Sequence, residues 1–198
     1  MVNCSHVDVV LRLILPVLGR IKRLDSHLIN QIAAGEVVER PSSIVKELVE
    51  NAIDAGASVI KILVKNGGIN FIKIIDDGIG VSKEEIPLAF ERHATSKLPE
   101  NDLFNITTLG FRGEALPSIA SVSKVEFMSK TKECEYASLY KVEGGNVISL
   151  EPCNADFGTS IVIKDLFYAT PARLKFLKNA QTEFSHIKDV FLKIALAN

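Results

Sequence analysis

Between Pro41 and Gly56 the apolar residues Ile44, Val45, Leu48, Val49, Ala52 and Ile53 recur at helical spacing and form one broad stripe. Pro41 suits the first helical position, where its missing N–H costs nothing, and Gly56 suits the position just past the end, so the pattern predicts a helix over 41–55. The period then drops to two. Residues 58–65 and 69–76 alternate and are rich in β-branched side chains, with Asn66-Gly67-Gly68 as a turn between them, which predicts a hairpin. Residues 122–129, 135–142, 147–151 and 159–165 read as further strands, and Gly144-Gly145-Asn146 as a second hairpin turn. Ser82 and Glu85 stand at capping-box spacing, with Val81 and Ile86 placed as a hydrophobic staple; they predict a helix from about Lys83 to Arg92, although Pro87 fits it poorly. Helices are also expected over 25–34 and 114–120, and an amphipathic one over 182–196 that is short of a packing partner. Runs of neighbouring strands favour antiparallel or mixed pairing over a doubly wound sheet.

Composition narrows the class. At 198 residues, one α/β domain with a full core is expected, and the 47% hydrophobic and 24% charged content is that of a soluble globular chain. The formal net charge of −1 excludes an electrostatic clamp for DNA over the whole chain. Lys164, Arg173, Lys175 and Lys178 make a local basic cluster, either a phosphate contact or a solvated helix face. Cys4, Cys134 and Cys153 are widely spaced and read as reduced thiols, and neither they nor His6, His27, His93 and His186 have metal-ligand spacing.

Four short segments carry candidate chemistry. On the helix over 41–55, Glu47 and Asn51 are four residues apart and so neighbours on one edge of the apolar stripe; at about 100° per residue, Asn51 falls only about 20° from Ile44. Lys46, Glu50 and Asp54 lie further round, toward solvent. A general base (Glu47) beside a magnesium ligand (Asn51) fits this pair, because Mg²⁺ takes oxygen ligands and keeps phosphate and water oxygens around it. A half-buried, satisfied asparagine fits equally well. Asp76-Asp77-Gly78-Ile79-Gly80 places a carboxylate at a strand end, with Gly78 and Gly80 allowing close approach of backbone to a ligand. Such a carboxylate can accept a hydrogen bond from an adenine amino group, but alone the pentapeptide reads as an ordinary Asp-Gly turn. Gly110-Phe111-Arg112-Gly113 precedes a predicted helix start and suits an anion, or is simply a flexible glycine loop; it is not a Walker sequence. Thr159 opens an apolar strand and gains weight only from the other three.

Taken in order, Glu47-x-x-x-Asn51-x-x-Asp54-Ala55-Gly56, then Asp76-x-Gly78-x-Gly80, then Gly110-Phe111-Arg112-Gly113-Glu114-Ala115-Leu116, then Gly158-Thr159, the motifs resemble the GHKL (Bergerat-type) ATPase superfamily. Asn30 to Pro41, Arg92-His93-Ala94-Thr95-Ser96-Lys97 and Asp165 to Arg173 resemble its MutL branch specifically. The resemblance runs from about residue 21 to 198. It implies a two-layer sandwich, a mixed and mainly antiparallel sheet with helices on one face, and ATP held between the layers. It further implies Glu47 as the base that activates water, and Asn51 as the Mg²⁺ ligand. Asp76 would read adenine, with Gly78, Gly80 and Thr159 beside it. Thr95, Ser96 and Lys97 would start a lid, and Gly110, Phe111, Arg112 and Gly113 would cradle phosphate. Asp54, Ala55 and Ala52 follow with less weight, on the same helix.

For function the resemblance implies a slow Mg²⁺-dependent ATPase whose ATP-driven dimerisation couples mismatch recognition to strand removal. The implied partners are a MutS-type recognition protein, DNA (weakly for this chain), a downstream nuclease or helicase, and a homodimer or MutL-type heterodimer, with no membrane. A bacterial, nucleoid-associated cytoplasmic place follows. MutL proteins continue into a second subdomain, which supplies a lysine to the γ-phosphate, and into a C-terminal dimerisation domain; both lie beyond these 198 residues. A nucleotide-binding module without hydrolysis, or a partner-binding module, is therefore the alternative. Residues 1–20 are extra relative to the family. They read as a disordered arm or the product of an upstream start, with an interaction helix as the alternative; their apolar run is too short to span a bilayer and has no basic residue before it.

Overall fold

The computed structural model describes Asp25, Ile29, Ile32, Ala34, Gly35, 37–95, Lys97, 108–110 and 113–198. The expected arm over 1–20 and most of the expected helix over 25–34 lie outside the described residues; Ile29, Ile32 and Ala34 have helical backbone, and Ala34 is buried.

Helix α1 spans Pro41–Asp54, with proline in its first turn. It ends in a Schellman motif: the Gly56 N–H bonds the Ile53 carbonyl and the Ala57 N–H bonds the Ala52 carbonyl, with Gly56 at φ +71°. Its stripe of Ile44, Val45, Leu48, Val49 and Ala52 is buried against β2 (Phe71–Asp76) and helices α3 (Ala115–Val122) and α5 (Ala180–Ala197).

The other strands are β1 (Ile60–Lys65), β3 (Lys124–Lys130), β4 (Ala137–Glu143), β5 (Asn146–Cys153) and β6 (Gly158–Lys164). They form one six-stranded sheet in the order β1-β2-β6-β3-β4-β5. Every pairing is antiparallel, so no mixed pairing is found among the described residues. The last strand in sequence, β6, is inserted at the centre, where it joins the first hairpin (β1–β2) to β3. Pro152 is tolerated because β5 is an edge strand.

Register lays the inner face out in rows that cross four strands. Ile72, Ile163, Val125 and Val142 pair side by side, as do Ile74, Ile161, Phe127 and Tyr140. All eight are buried, and the two rows form the floor of the core. The next row is Asp76, Thr159, Ser129 and Ser138. It occupies the same pleat face at the end of the sheet, yet carries only polar side chains, three of them buried.

Three expectations change. The capping box yields only a short helix α2 (Ile86–Ala89). The Ser82 hydroxyl donates to the Glu85 carboxylate at 2.6 Å and so does not cap the Glu85 N–H, and after Pro87 the chain tightens into bonds from Phe90 N to Pro87 O and Glu91 N to Leu88 O. Val122 closes α3 and does not open β3. Helix α5 does have a packing partner: Glu183 and Ile187 are buried, and the helix lies on α1 and on the 3₁₀ turn Asn66–Gly68. Phe184, Leu192 and Leu196 remain exposed on its other side. A short helix α4 (Pro171–Leu174) precedes it. Among the described residues, no helix is long and apolar enough to cross a membrane.

Candidate functional site

Asp76 ends β2 in the position that alternation reserves for a third core residue after Ile72 and Ile74. It is 8% exposed. Its Oδ1 accepts the Gly78 N–H at 3.0 Å, and the backbone of Thr159 on β6 also donates to the carboxylate. A carboxylate has about four lone-pair sites, so two such bonds leave capacity for a ligand donor. Burial pushes the Asp76 carboxyl above its ordinary range; the Gly78 and Thr159 bonds oppose this, and the neighbouring Asp77 charge reinforces it. Asp77 plays a different part, because its Oδ1 accepts Ser58 N–H and Val59 N–H at 2.7 and 2.8 Å and anchors the approach to β1.

The turn after Asp76 is pressed onto the end of α1. A Cβ at Gly78 would lie 2.9 Å from the Ala55 Cβ and 3.0 Å from the Asp76 carboxylate. The Ile79 N–H bonds the Ala55 carbonyl at 3.0 Å. A Cβ at Gly80 would meet the Lys130 carbonyl at 2.3 Å. The C-terminal turn of α1 therefore belongs both to the Asp76 corner and to the polar edge of the helix.

On that edge, Glu47 is 35% exposed, with its Oε1 3.7 Å from Lys46 Nζ. Asn51 follows one turn on. Its Oδ1 accepts a hydrogen bond from the Lys97 ammonium at 2.7 Å, and the same ammonium lies 2.6 Å from Asp54 Oδ2. Asp54 was expected to face solvent, but its side chain is only 7% exposed. The segment 108–110 covers it: Leu109 N–H donates to Oδ1 at 3.0 Å and Gly110 N–H to Oδ2 at 3.2 Å. Burial alone would raise the Asp54 carboxyl, but the Lys97 hydrogen bond, the two backbone donors and the Lys97 charge outweigh it and hold the group below the ordinary range.

Thr95 lies next to this cluster in sequence, and its Oγ1 accepts the Lys97 N–H at 3.1 Å. Gly113 comes against Ala94, where a Cβ would stand 2.3 Å from the Ala94 carbonyl. Arg92 and His93 both reach the Glu114 carboxylate, at 2.8 and 2.9 Å, so the chain on either side of 95–112 is tied together there. The expectations for Ser96, Phe111 and Arg112 lie outside the described residues. Two members of the basic cluster are engaged, Lys164 with Glu126 at 2.7 Å and the Arg173 guanidinium over the Phe167 ring, while Lys175 and Lys178 are exposed.

Sequence reasoning missed Ser129. It is 2% exposed, and its Oγ accepts the Val81 N–H at 2.8 Å and lies 3.0 Å from Thr159 Oγ1 and 3.2 Å from the Gly158 carbonyl. The available signal was the one that marks Asp76, a polar residue at the end of an alternating apolar row (Val125, Phe127, Ser129). Two surface clefts, of about 290 and 700 Å³, border β4 and β5 and share neither Asp76 nor Asn51. Among the described residues no group of three or more His, Cys, Asp or Glu could hold a metal ion. A cation at Asn51 therefore needs further oxygens from its ligand, as a phosphate chain supplies.

Residues 39–151, more than half of the chain, match the family described as histidine kinase-, DNA gyrase B-, and HSP90-like ATPase. The chain is 56% identical over 181 residues to the DNA mismatch repair protein MutL of Leuconostoc citreum, covering 91% of this chain and 27% of that protein. It is 53% identical over 178 residues to the MutL of Halothermothrix orenii, covering 89% and 28%. It thus spans just over a quarter of the length of these curated relatives. Among solved structures it is similar to the Aquifex aeolicus MutL ATPase domain complexed with ADP, with a TM-score of 0.66 and 30% identity over 82% of this chain and 57% of that one. A structure described as the N-terminal domain of a DNA repair protein gives a TM-score of 0.70 at 29% identity, over 82% of this chain and 47% of that one.

Proposed function

The chain belongs to the histidine kinase-, DNA gyrase B- and HSP90-like ATPases, in their MutL branch, and from that membership we propose that it binds Mg-ATP between α1 and the polar end of the sheet and hydrolyses it. The observation that carries this reading is the polar row Asp76-Thr159-Ser129, which interrupts an otherwise apolar face where the glycine turn of Gly78 and Gly80 brings backbone close. Asp76 accepts the adenine amino group, and Thr159 holds the carboxylate. Gly78, Gly80 and Ala55 shape the wall beside the ring.

Asn51 offers its carboxamide oxygen to Mg²⁺. The donor set fits a cation, because the Lys97 ammonium already sits 2.7 Å from Asn51 Oδ1 and 2.6 Å from Asp54 Oδ2. Bound there with the triphosphate, Mg²⁺ would neutralise phosphate charge. Glu47, one turn before Asn51, takes a proton from the attacking water, the new P–O bond forms at the γ-phosphorus, and ADP leaves. The backbone from Gly110 to Gly113, with Phe111 and Arg112 between, supplies N–H donors and a cation to the phosphates; Thr95, Ser96 and Lys97 close over them. In a protein of the length of the MutL relatives, this chemistry would drive an ATP-dependent dimer, engaging a MutS-type partner, mismatched DNA and a downstream nuclease or helicase in the bacterial cytoplasm.

Two titrations test the reading. Asn51→Ala is expected to weaken Mg-ATP binding about ten- to a hundredfold, the size of a lost contact to a charged group of ~1.5–3 kcal/mol, in a fluorescent-nucleotide titration; unchanged affinity rejects Asn51 as the ligand. The second is a pH series. Asp76 has a folded-state value above its unfolded one, so the native state holds the extra proton in the window between them. Its contribution to stability therefore falls as pH rises through that window. Adenine needs the ionised form, so affinity should climb as pH rises through the raised value and then level off. Measured from about pH 4 to about pH 8, this dependence is expected to vanish in Asp76→Asn, which also binds weakly at every pH. A pH dependence that persists in Asp76→Asn assigns it to another group.

A further inference from the structure

Among the described residues, the Lys97 ammonium has two short polar partners, and both are on α1. Lys97 is 21% exposed and Asp54 7% exposed, so the pair is screened far less than a surface ion pair. Without it, Asp54 would keep, among the described residues, the Leu109 and Gly110 N–H groups as its hydrogen-bond donors. Asn51, a neutral amide, gains a charge-assisted bond. The lysine thus fills the cation position in front of Asn51.

We propose that Lys97 is a built-in counter-cation that keeps free divalent metal out of the site and yields its place only to metal that arrives with a triphosphate. The inference rests on the assignment of Asn51 to the metal. Its logic is one of anion supply. A bare Mg²⁺ that displaced the ammonium would take Asp54, the anion paired with Lys97 among the described residues, and would gain there one carboxamide and one carboxylate already engaged by two N–H groups. A triphosphate changes both terms. It brings several oxygens to the metal, and it offers Lys97, three residues after Ala94 at the edge of the site, a new anion to pair with. Metal entry and lysine release are then one event, and Lys97 acts as a positioning residue that selects the metal–nucleotide complex over either component.

The test is Mn²⁺ binding to the nucleotide-free chain, read by loss of the free Mn²⁺ paramagnetic resonance signal, with thermal melting as a second measurement. Lys97→Met is expected to bind Mn²⁺ about tenfold more tightly than wild type, and Asn51→Ala in that background to remove the gain. Lys97→Arg, which keeps the cation, should exclude Mn²⁺ as wild type does. Adding Mg²⁺ should raise the melting temperature of Lys97→Met and leave that of wild type unchanged. Equal Mn²⁺ affinity in wild type and Lys97→Met overturns the proposal, as does a gain that Asn51→Ala does not remove. If Asn51→Ala alone leaves Mg-ATP binding intact, the underlying assignment has failed; if it weakens Mg-ATP while Lys97→Met gains no Mn²⁺, only the present inference has.

Discussion

Glu47→Gln is expected to slow phosphate release by about 10²–10⁴-fold while leaving the affinity for Mg-ATP within about twofold of wild type. Glutamine keeps the length and planarity of the side chain but cannot accept a proton as a carboxylate does, so the loss reports proton transfer. Binding should survive because the proposed contacts to the base and the metal lie elsewhere, on Asp76 in the sheet and on Asn51 one turn further along α1. The helix should survive too: Glu47 is 35% exposed and lies outside the buried stripe, and the nearer partner of Lys46 is Glu50 at 3.0 Å, against 3.7 Å for Glu47. Single-turnover phosphate release with a parallel nucleotide titration separates the outcomes. Equal loss of binding and release would make Glu47 a structural or binding residue. No release from the wild-type chain, with binding intact, would make this chain a nucleotide-binding module without hydrolysis of its own.

The elements that could be read from sequence are those whose signals are local. Pro41 and Gly56 mark both ends of α1, and the observed helix differs from the expected one by a single residue. The two hairpins followed from alternation and from Asn66-Gly67-Gly68 and Gly144-Gly145-Asn146. Asp76 drew attention as a strand-end carboxylate before Gly78 and Gly80 and through the order of the motifs; that it takes a core-facing place in the pleat, across from Thr159, is visible only once β6 pairs with β2. Two of the three misreadings have non-local causes. Asp54 points away from the apolar stripe, which made it solvent-facing by helical geometry; it is buried because residues 108–110, more than fifty positions later, fold over it. Ser129 looked like the end of a strand, and only the insertion of β6 between β2 and β3 makes it the link from Val81 to Thr159. The helix expected over 83–92 shrank because the Ser82 hydroxyl is spent on the Glu85 side chain. In each case a contact of high sequence separation, or a competing side-chain bond, decided the outcome over local propensity.

Gly158→Ala is the substitution expected to damage both fold and site most. Gly158 opens β6 at φ +107°, and a Cβ there would stand 2.1 Å from the Asp76 carbonyl oxygen and 2.9 Å from the Asp77 Cα. Both are backbone atoms of the strand end and its turn, so no side-chain rotation can relieve the clash; β2 and β6 must separate locally. Backbone strain of ~1–3 kcal/mol and an overpacking term of ~1–3 kcal/mol add to about 2–6 kcal/mol. For a chain of this size that lowers the melting temperature by about 4–24 °C. Separation of the strands also pulls Thr159 from Asp76, its partner across the ladder, so nucleotide affinity should fall with stability. Gly145→Ala supplies the control. It too has positive φ, +83°, but its Cβ would meet nothing nearer than the Ser121 Cα at 3.7 Å, so it should carry the strain alone and bind nucleotide normally. If the two variants melt together and both bind as wild type does, the Gly158 contact with Asp76 is not what holds the carboxylate in place.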